Sequence, residues 1–471
     1  MLPIIRIVLA LIVAVAGWSV VPQDGIQAGQ WKEPVKQERQ EKIGDSVLKK
    51  REFAFADGDR YWMHQVTADE EESPYVQAIP LGGKYAAFRY RAFTEAGQPF
   101  WNVVNLSEIS TLPVAPGFIE APGKYIWIGE PVVYRELGRG TVETLPEKVL
   151  PIDVVHTPAG LELQIRLPRE PGSVSEIWAL ESQEPIVRWG DPNLDQAWLS
   201  LDLTKNAKWL YGGYYYKSPG SYEPTAENGY WRIPENYVLA SLALMDGNEA
   251  ADKMAYVMLH ASLQQQEPEG YWKSLPRSQW LWEDYGIDAG FYDTRFNTGA
   301  AMQMLKGCIR YGEEAFCESA RRYTSFFHRY AQFHHYPVKR ESPGWLVADY
   351  TGTNADAETH VSLNHQLAEI NYLYHFHLHF GRAVDRELAD KMLAGVANLG
   401  EKWIRDDGDL HYAYFPDGTF GLPDYPDLTY KDLLETQKLY TALYGKEEKT
   451  ISQLLASKRD WMMRNNIPLQ Q

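Results

Sequence analysis

The sequence predicts a protein of mixed α and β structure, with an antiparallel β-sandwich-like domain followed by an (α/α)4 barrel, or toroid, of four helical hairpins. Four glycines recur at intervals of roughly 65 residues in the second half of the chain, and each closes a stretch with helical apolar spacing. Between about residues 51 and 205, apolar and polar residues alternate instead, as they do in half-buried strands. These two patterns define the fold class.

The N-terminal residues 1–22 are expected to form a signal peptide or a membrane anchor. Arg6 precedes the apolar run 7–16, and the end of that run fits the small-x-small pattern of a signal-peptidase site. The apolar character continues to Val21, so retention of the segment as a single membrane anchor is the alternative to cleavage. We therefore expect export, to the cell surface or the extracellular space. Residues 23–50 are rich in charge and predict a solvated stalk.

The β domain is predicted over residues 51–205. Residues 161–167 alternate strictly between apolar and polar, and a Thr-Pro-Ala-Gly turn joins them to 152–155 as a hairpin. Further strands are predicted at 85–90, 125–128, 132–134, 177–180 and 197–203. Short strands separated by glycine and proline turns indicate an antiparallel sandwich.

The barrel is predicted over residues 206–471, with eight helices after residue 230. The first helix of each hairpin covers 237–246, 296–311, 363–380 or 429–444, and the glycine after it is Gly247, Gly312, Gly381 or Gly445. Glycine adopts the left-handed conformation that satisfies the last carbonyls of a helix. Cys308 and Cys317 lie on either side of Gly312. They could form a disulfide or remain as two buried free thiols, and the sequence does not choose between these alternatives.

The composition excludes several classes of function. The net charge of −17 comes without a basic stripe, which argues against nucleic-acid binding. No phosphate loop, nucleophile elbow or dinucleotide fingerprint occurs, so no cofactor is expected. His375 and His379 share a helical face but lack a third ligand, so no metal site is predicted.

The candidate site is the barrel mouth, where the loops leading into the inner helices meet. These loops combine aromatic rings, carboxylates and cations, a mixture that suits a carbohydrate, although core packing and surface charge are the plainer explanations. Arg295 is expected to bind substrate, so that its loss weakens function with little effect on stability. The substrate-binding candidates are Trp231, Trp272, Lys273, Arg277, Trp280, Arg295, Asn297, Asn364, His365 and Lys431.

The cations near the mouth point to an acidic glycan that contains uronate. The C5 proton of a uronate lies α to a carboxylate, so its removal needs charge neutralisation and a base. The candidate bases are His360, His365, Tyr350, Tyr425 and Tyr430. Return of the proton to the other face gives epimerisation, whereas loss of the C4 substituent gives a lyase product. The residues leave both outcomes open.

An N-terminal anchor, a β domain and a four-hairpin barrel form a layout that resembles the D-glucuronyl C5-epimerases of glycosaminoglycan synthesis. The segments Glu358-Thr359-His360 and Asn364-His365-Gln366-Leu367 look like the part of that family that opens its last helices. The resemblance implies catalytic tyrosines and a glutamate at the mouth. Their counterparts would be Tyr350, Tyr425, Tyr430 and Glu283.

The leading hypothesis is an exported C5-epimerase that acts on an acidic polysaccharide. One alternative is a polysaccharide lyase or a glycoside hydrolase; a hydrolase would use two of Glu283, Asp284, Asp293 and Asp427. Another is a non-catalytic protein for glycan binding or envelope assembly. The expected partner is an acidic polysaccharide or oligosaccharide, while membrane anchoring through the N-terminus and a homodimer are left open.

Overall fold

The computed structural model describes residues 31–242, 245, 248–340 and 342–469. Over these residues the chain divides into two compact units, one within Gly25–Ser262 and the other within Leu263–Gln471. The predicted signal or anchor segment and the first part of the predicted stalk lie outside the described residues. None of the helices in the described part of the chain is long and apolar enough to cross a membrane.

The first unit contains most of the strands. In chain order these are β1 (Val35–Ile43), β2 (Ser46–Ala54), β3 (Arg60–Ala68), β4 (Glu72–Gly82), β5 (Ala87–Phe93), β6 (Pro99–Asn105), β7 (Gly117–Ala121), β8 (Lys124–Ile128), β9 (Val132–Gly138), β10 (Thr141–Thr144), β11 (Asp153–Thr157), β12 (Gly160–Arg169), β13 (Val174–Ser182), β14 (Ala207–Leu210), β15 (Gly213–Lys217), β16 (Tyr222–Glu223) and β17 (Gly229–Arg232). Its helices are α1 (Pro192–Ser200), α2 (Tyr237–Leu242) and α3 (Glu249–Gln264), which crosses the boundary between the units.

All of these strands except β16 form two antiparallel sheets with a common core. In the large sheet the strand order is β14-β15-β17-β10-β9-β13-β8-β7-β5-β6. A branch of this sheet begins at β13, which also pairs with β3; β3 pairs with β2, and β2 pairs with β1. The strand order of the small sheet is β11-β12-β4. The alternation predicted at 161–167 is the inner face of β12, where Leu163 and Ile165 are fully buried. They belong to the same core as Trp62 and Phe88 of the large sheet. The unit is therefore sandwich-like, and the predicted 152–167 hairpin is confirmed.

The strand predicted at 197–203 is wrong, because Pro192–Ser200 is helix α1. Asp191 accepts hydrogen bonds from the backbone N–H groups of Asn193 and Leu194, and Pro192 occupies the first helical position. An Asp-Pro pair is a strong helix start, because the Asp side chain caps free backbone N–H groups. Proline fits the first helical position because an N–H group there would have no partner within the helix. This start outweighs the apolar alternation that follows it.

The stalk predicted for 23–50 is also wrong over its described part, since β1 and β2 form a long antiparallel hairpin there. The charges lie on the exposed strand β1 and pair across to β2. Lys50 lies 3.1 Å from Glu41, and Arg51 lies 2.5 Å from Glu38. Cross-strand ion pairs and an exposed face explain why the segment is both charged and folded.

The second unit is mainly helical. Its helices are α4 (Gln279–Tyr285), α5 (Thr294–Tyr311), α6 (Glu314–Phe333), α7 (Leu363–Phe380), α8 (Ala383–Leu399), α9 (Leu428–Tyr444) and α10 (Lys449–Arg464). Its short strands are β18 (Arg277–Ser278), β19 (Tyr292–Asp293), β20 (His335–Val338), β21 (Gly344–Val347), β22 (Tyr350–Thr351), β23 (Val361–Ser362), β24 (His411–Tyr414) and β25 (Phe420–Pro423). In the described residues after 230 there are thus nine α-helices rather than the eight predicted, because α4 was not predicted.

Three helical hairpins, α5–α6, α7–α8 and α9–α10, make up this unit. Their first helices α5, α7 and α9 contact one another in that order. Gly312, Gly381 and Gly445 end these helices with φ of 65°, 71° and 68°, as the sequence predicts. Gly247 lies outside the described residues, and α2 with most of α3 belongs to the first unit. Closure of four hairpins into a barrel stays a prediction.

A disulfide joins Cys308 near the end of α5 to Cys317 in α6. The two cysteines are 9 residues apart. A cross-link of this span restricts the unfolded chain by about 2–3 kcal/mol. We expect reduction to lower the free energy of unfolding of the second unit by this amount, measured by urea unfolding with and without dithiothreitol. A Cys308→Ser/Cys317→Ser variant should show no response to the reductant; an equal response would contradict the assignment.

Glu176 is a buried carboxyl in β13 that should make the first unit sensitive to pH. Burial raises its pKa from 4.5 to about 7, against hydrogen bonds from Gln65 and Tyr211. The folded state therefore holds the proton more tightly, so the stabilisation is full below pH 4.5 and is lost as pH rises through 7. Between pH 5 and 8 we expect the free energy of unfolding of the wild type, measured with urea, to fall by up to roughly 3 kcal/mol. In the Glu176→Gln variant we expect this fall to be absent or much smaller. Parallel profiles for the two proteins would contradict this.

Candidate active site

Arg295 connects the beginnings of α5, α7 and α9 through hydrogen bonds. Arg295, in the first turn of α5, donates a 2.7 Å hydrogen bond to the backbone carbonyl of Asn364 in α7. The same guanidinium binds both carboxylate oxygens of Asp432 in α9, at 2.7 and 3.2 Å. These are the helix ends that the sequence analysis assigns to the barrel mouth.

Five ionisable side chains, here called the buried cluster, collect at these helix beginnings. They are Asp293, Asp349, His360, His365 and Glu369, all between 0% and 5% exposed. Asp293 caps α5, Asp349 follows β21, and His360 precedes β23. His365 and Glu369 are four residues apart in α7, so they lie on the same face of that helix.

Backbone hydrogen bonds hold the loops of the buried cluster in register. The N–H of Asp349 donates to the carbonyl of His360 at 3.0 Å, and its own carbonyl accepts from the N–H of Thr294 at 3.0 Å. Strand β22 pairs Tyr350 with Asp293 of β19. The cluster is therefore built on paired backbone rather than on free loops.

The carboxyl of Asp349 lies between two imidazoles. Its Oδ2 is 3.5 Å from Nε2 of His360 and 3.7 Å from Nδ1 of His365. Its Oδ1 accepts a 2.9 Å hydrogen bond from the backbone N–H of Ser362, and the Ser362 hydroxyl donates to Oδ2. Ser362 thus orients the carboxyl between the two rings.

Each imidazole is held at one nitrogen. His360 Nδ1 shares a 2.9 Å hydrogen bond with the Tyr285 hydroxyl, and His365 Nδ1 shares one of 2.8 Å with the Thr294 hydroxyl. The Nε2 of His360 is buried and forms no hydrogen bond with the described residues. This nitrogen lies 3.5 Å from Oδ2 of Asp349, so its hydrogen-bonding capacity is unused beside a carboxyl.

Burial sets the protonation of the cluster. It raises the pKa of Asp293 to about 7 and that of Asp349 well above its usual value. It also raises the pKa of Glu369, with a further contribution from the charge of Asp349. Burial lowers the pKa of His360 to about 4 and that of His365 well below its usual range. Near neutral pH the imidazoles are therefore uncharged, and much of the carboxyl population is protonated.

Five aromatic rings surround His360, and we call them the aromatic collar. Their centroids lie 5.8–6.0 Å from that of His360. The members are Trp280, Tyr285, Tyr350, Tyr412 and Phe415. Tyr425 extends the collar outward, since it contacts Tyr412 at 5.7 Å and is 41% exposed. Aromatic faces beside hydrogen-bonding groups suit a sugar ring.

Several residues predicted from the sequence meet in this region. Trp280 packs against Tyr350 and His360, and Tyr350 also packs against His365. Burial raises the pKa of Tyr350 and Tyr425, which keeps both as neutral phenols and makes them poor bases. Their predicted role as bases is therefore less favourable than that of the imidazoles.

Other predicted residues have different surroundings. Glu283 is exposed on α4, and Trp231 is buried in β17 of the first unit. Trp272 and Asn297 are buried and exchange hydrogen bonds of 2.6 and 2.9 Å through the backbone of Trp272, which is a structural role. Tyr430 is 9% exposed in the first turn of α9.

The predicted cations are already engaged. Lys273 pairs with Glu267 at 3.0 Å, and Lys431 pairs with Asp427 at 2.6 Å. Arg277 lies over the ring of Trp282, 5.3 Å from its centroid. The cationic mouth expected from the sequence is thus largely neutralised by local carboxylates.

The histidines near Gly381 have protein partners. His375 Nε2 lies 2.8 Å from Glu435 Oε1, and His379 lies beside Cys308. Among the described residues, the carboxylates of one group, Asp57, Asp59 and Glu249, come close enough together to hold a metal ion. The ammonium group of Lys253 pairs with all three carboxylates.

Sequence reasoning missed Asp349 and Glu369 as cluster members and treated Asp293 as a helix cap or a hydrolase acid. Asp293 does cap α5, accepting from Phe296 N–H at 3.0 Å. Glu369 had a usable signal, because a carboxylate four residues after His365 interrupts the apolar face of α7. The collar members Tyr285, Tyr412 and Phe415 had no comparable signal.

Comparison with known proteins gives weak structural similarities. No protein-family model and no curated protein matches the chain. It is similar to a D-mannose isomerase (13% identity, 48% of this chain and 59% of that one, TM-score 0.37). It is also similar to a family 76 glycoside hydrolase from a bovine Bacteroides thetaiotaomicron strain (9% identity, 92% of this chain and 78% of that one, TM-score 0.39). A third similarity is to a cellobiose 2-epimerase from Spirochaeta thermophila (12% identity, 48% of this chain and 57% of that one, TM-score 0.35).

The chain spans less than two thirds of the length of the mannose isomerase and of the cellobiose epimerase. At these TM-scores neither the fold nor an activity is assigned from the similarity.

Proposed function

We propose that the buried cluster is the active site of an enzyme that moves a proton on a carbohydrate. The specific reaction we propose is C5 epimerisation of a uronate in an acidic polysaccharide. The observation that carries the proposal is the placement of Asp349 between the imidazoles of His360 and His365, at 3.5 and 3.7 Å. The neutral imidazole of His360 supplies the base and the protonated carboxyl of Asp349 supplies the acid, which are the two proton-transfer groups that an epimerase needs.

In this mechanism the Nε2 of His360 takes the C5 proton, and the protonated carboxyl of Asp349 gives its proton to the opposite face of C5. The pKa of about 4 for His360 favours its neutral, proton-accepting form throughout the physiological range. The Asp349 carboxylate that this leaves lies 3.5 Å from Nε2 of His360, where it stabilises the imidazolium. Transfer of the proton from the imidazolium to this carboxylate then restores both groups. Ser362 holds that carboxyl in place.

The protonated carboxyls explain how an acidic sugar enters a site that is rich in acids. Since burial raises the pKa of Asp349 and Glu369, both favour the neutral form, which does not repel a uronate. A neutral carboxyl donates a hydrogen bond to the substrate carboxylate and stabilises the charge that develops when C5 loses its proton. These groups take over the role expected of the cations that the structure shows to be paired.

The aromatic collar would supply the stacking surface, with the half-buried Tyr412 and the more exposed Tyr425 at its outer side. The disulfide supports the proposed export, because such bonds persist in oxidising compartments outside the cytoplasm. The four-hairpin barrel remains the architecture that we propose for the helical part.

A glycoside hydrolase is the second candidate, and one observation favours it. The pKa of Asp293 is raised to about 7, which suits a general acid that protonates a leaving group. A hydrolase also needs an ionised carboxyl beside this acid, and burial of Asp349 disfavours that form. Glu283 and Asp284, the other predicted acids, are exposed on α4, and Asp427 pairs with Lys431.

The proposed function is tested by incubating the protein with uronate polymers in deuterated water. Deuterium at C5 without chain cleavage is the expected result. Unsaturated ends would instead indicate a lyase, and saturated new reducing ends a hydrolase. If none of the three appears but the polymer binds, the protein is a non-catalytic glycan binder and the proposal fails.

A further inference from the structure

Four arginines line a groove on the surface of the second unit, and none of them belongs to the buried cluster. Arg321, Arg322 and Arg329 project from α6, and Arg382 is the residue before α8. The groove has a volume of about 380 Å³, within the roughly 300–1,000 Å³ of small-ligand sites. We call it the arginine groove.

Two of these arginines are paired with carboxylates. Arg321 lies 2.5 Å from Glu314 and 3.6 Å from Glu318, and Arg382 lies 3.2 Å from Asp385. These pairs fix two guanidinium groups at the edge of the groove. They also neutralise part of its charge.

The other two arginines make no ion pair with the described residues. Arg322 donates to the neutral amide oxygen of Gln266, and its buried Nε forms no hydrogen bond with the described part of the chain. Arg329 is exposed and donates a long 3.5 Å bond to the backbone carbonyl of Glu269. On a chain with net charge −17, two guanidinium groups without carboxylate partners in one groove stand out.

We propose that the arginine groove binds an oxyanion, a carboxylate or a sulfate, carried by an acidic glycan. The planar guanidinium fork matches such oxyanions with two parallel hydrogen bonds. The choice of a glycan as carrier rests on the proposed function, whereas the affinity for an oxyanion rests on the arginines alone. A second site that holds a distant unit of the same polymer raises its apparent affinity without a new contact in the active site.

The test uses calorimetric titration of the whole protein, at constant ionic strength, with sodium sulfate and with long uronate oligosaccharides. The variant is Arg322→Gln/Arg329→Gln, and the control is Arg459→Gln, which removes an exposed arginine in α10. We expect the double variant to bind both probes about tenfold more weakly or worse. We expect the control to bind as the wild type does, and turnover of a uronate disaccharide to be unchanged in both variants.

Equal binding of both probes by the double variant and the wild type would overturn the proposal. Weaker sulfate binding with unchanged oligosaccharide binding would overturn the assignment of the groove to a glycan. Weaker binding of both probes by a protein whose wild type turns over no uronate would support the groove and overturn the proposed function.

Discussion

Replacing Asp349 with asparagine should lower turnover by a factor of about 10² to 10⁴ while the fold is retained. Burial favours the protonated form of Asp349, so a neutral amide of the same shape can occupy its place between His360 and His365. The amide oxygen can still accept the hydrogen bond from the backbone N–H of Ser362, but the amide cannot give or take a proton in the reaction. Initial rates with a uronate substrate, alongside far-ultraviolet circular dichroism, measure both parts of the expectation.

The matched control is Asp460→Asn, since Asp460 is 51% exposed in α10. We expect this change to leave both the rate and the spectrum unaltered. An active Asp349→Asn protein would remove the carboxyl from the proposed mechanism. A protein that is inactive because it has unfolded is recognised by its spectrum, and in that case Ser362→Ala tests the same carboxyl through its orientation.

Arg295→Ala should destabilise the second unit by about 3 kcal/mol, because it leaves the carboxylate of Asp432 buried without a partner. The two side chains are 17% and 11% exposed and form a bidentate pair. The sequence alone predicts a substrate-binding Arg295 whose loss has little effect on stability, and the buried pair with Asp432 argues against the second part of that prediction. Urea unfolding combined with hydrogen exchange of the α5, α7 and α9 amides measures the change.

A double-mutant cycle separates this pair from the general effect of losing an arginine. Asp432→Asn added to Arg295→Ala should recover part of the lost stability, since the unpaired charge is removed. Arg459→Ala, in an exposed pair with Asp460, should cost less than about 1 kcal/mol. Equal losses from Arg295→Ala and Arg459→Ala would show that the buried pair does not hold the helix beginnings together.

The first helix of each of the three hairpins was predictable because two independent signals mark it. Apolar periodicity and a terminal glycine both indicate α5, α7 and α9, whose bounds differ from the prediction by at most two residues. The segments 23–50 and 197–203 were mispredicted because only one signal was used for each. Charge alone does not distinguish a solvated coil from the exposed strand β1, and alternation alone does not exclude the capped helix α1.

The grouping of the residues of the candidate site could be predicted in part, whereas their protonation and ion pairing could not. His360 lies just before α7 and His365 lies in its first turn, so the start of one predicted helix brings them into one place. Burial is not visible in the sequence, so the raised pKa of Asp349 and Glu369 could not be predicted. The ion pairs of Lys273 and Lys431 depend on loop conformation, so these residues looked like free cations.

The most direct test of the proposed site is a crystal structure of the Asp349→Asn protein with a bound uronate oligosaccharide. We expect one sugar ring inside the aromatic collar, with its C5 within about 3.5 Å of Nε2 of His360 and its carboxylate facing the buried carboxyls. An oligosaccharide bound elsewhere in the protein, with the collar and the Nε2 of His360 untouched, would contradict the account.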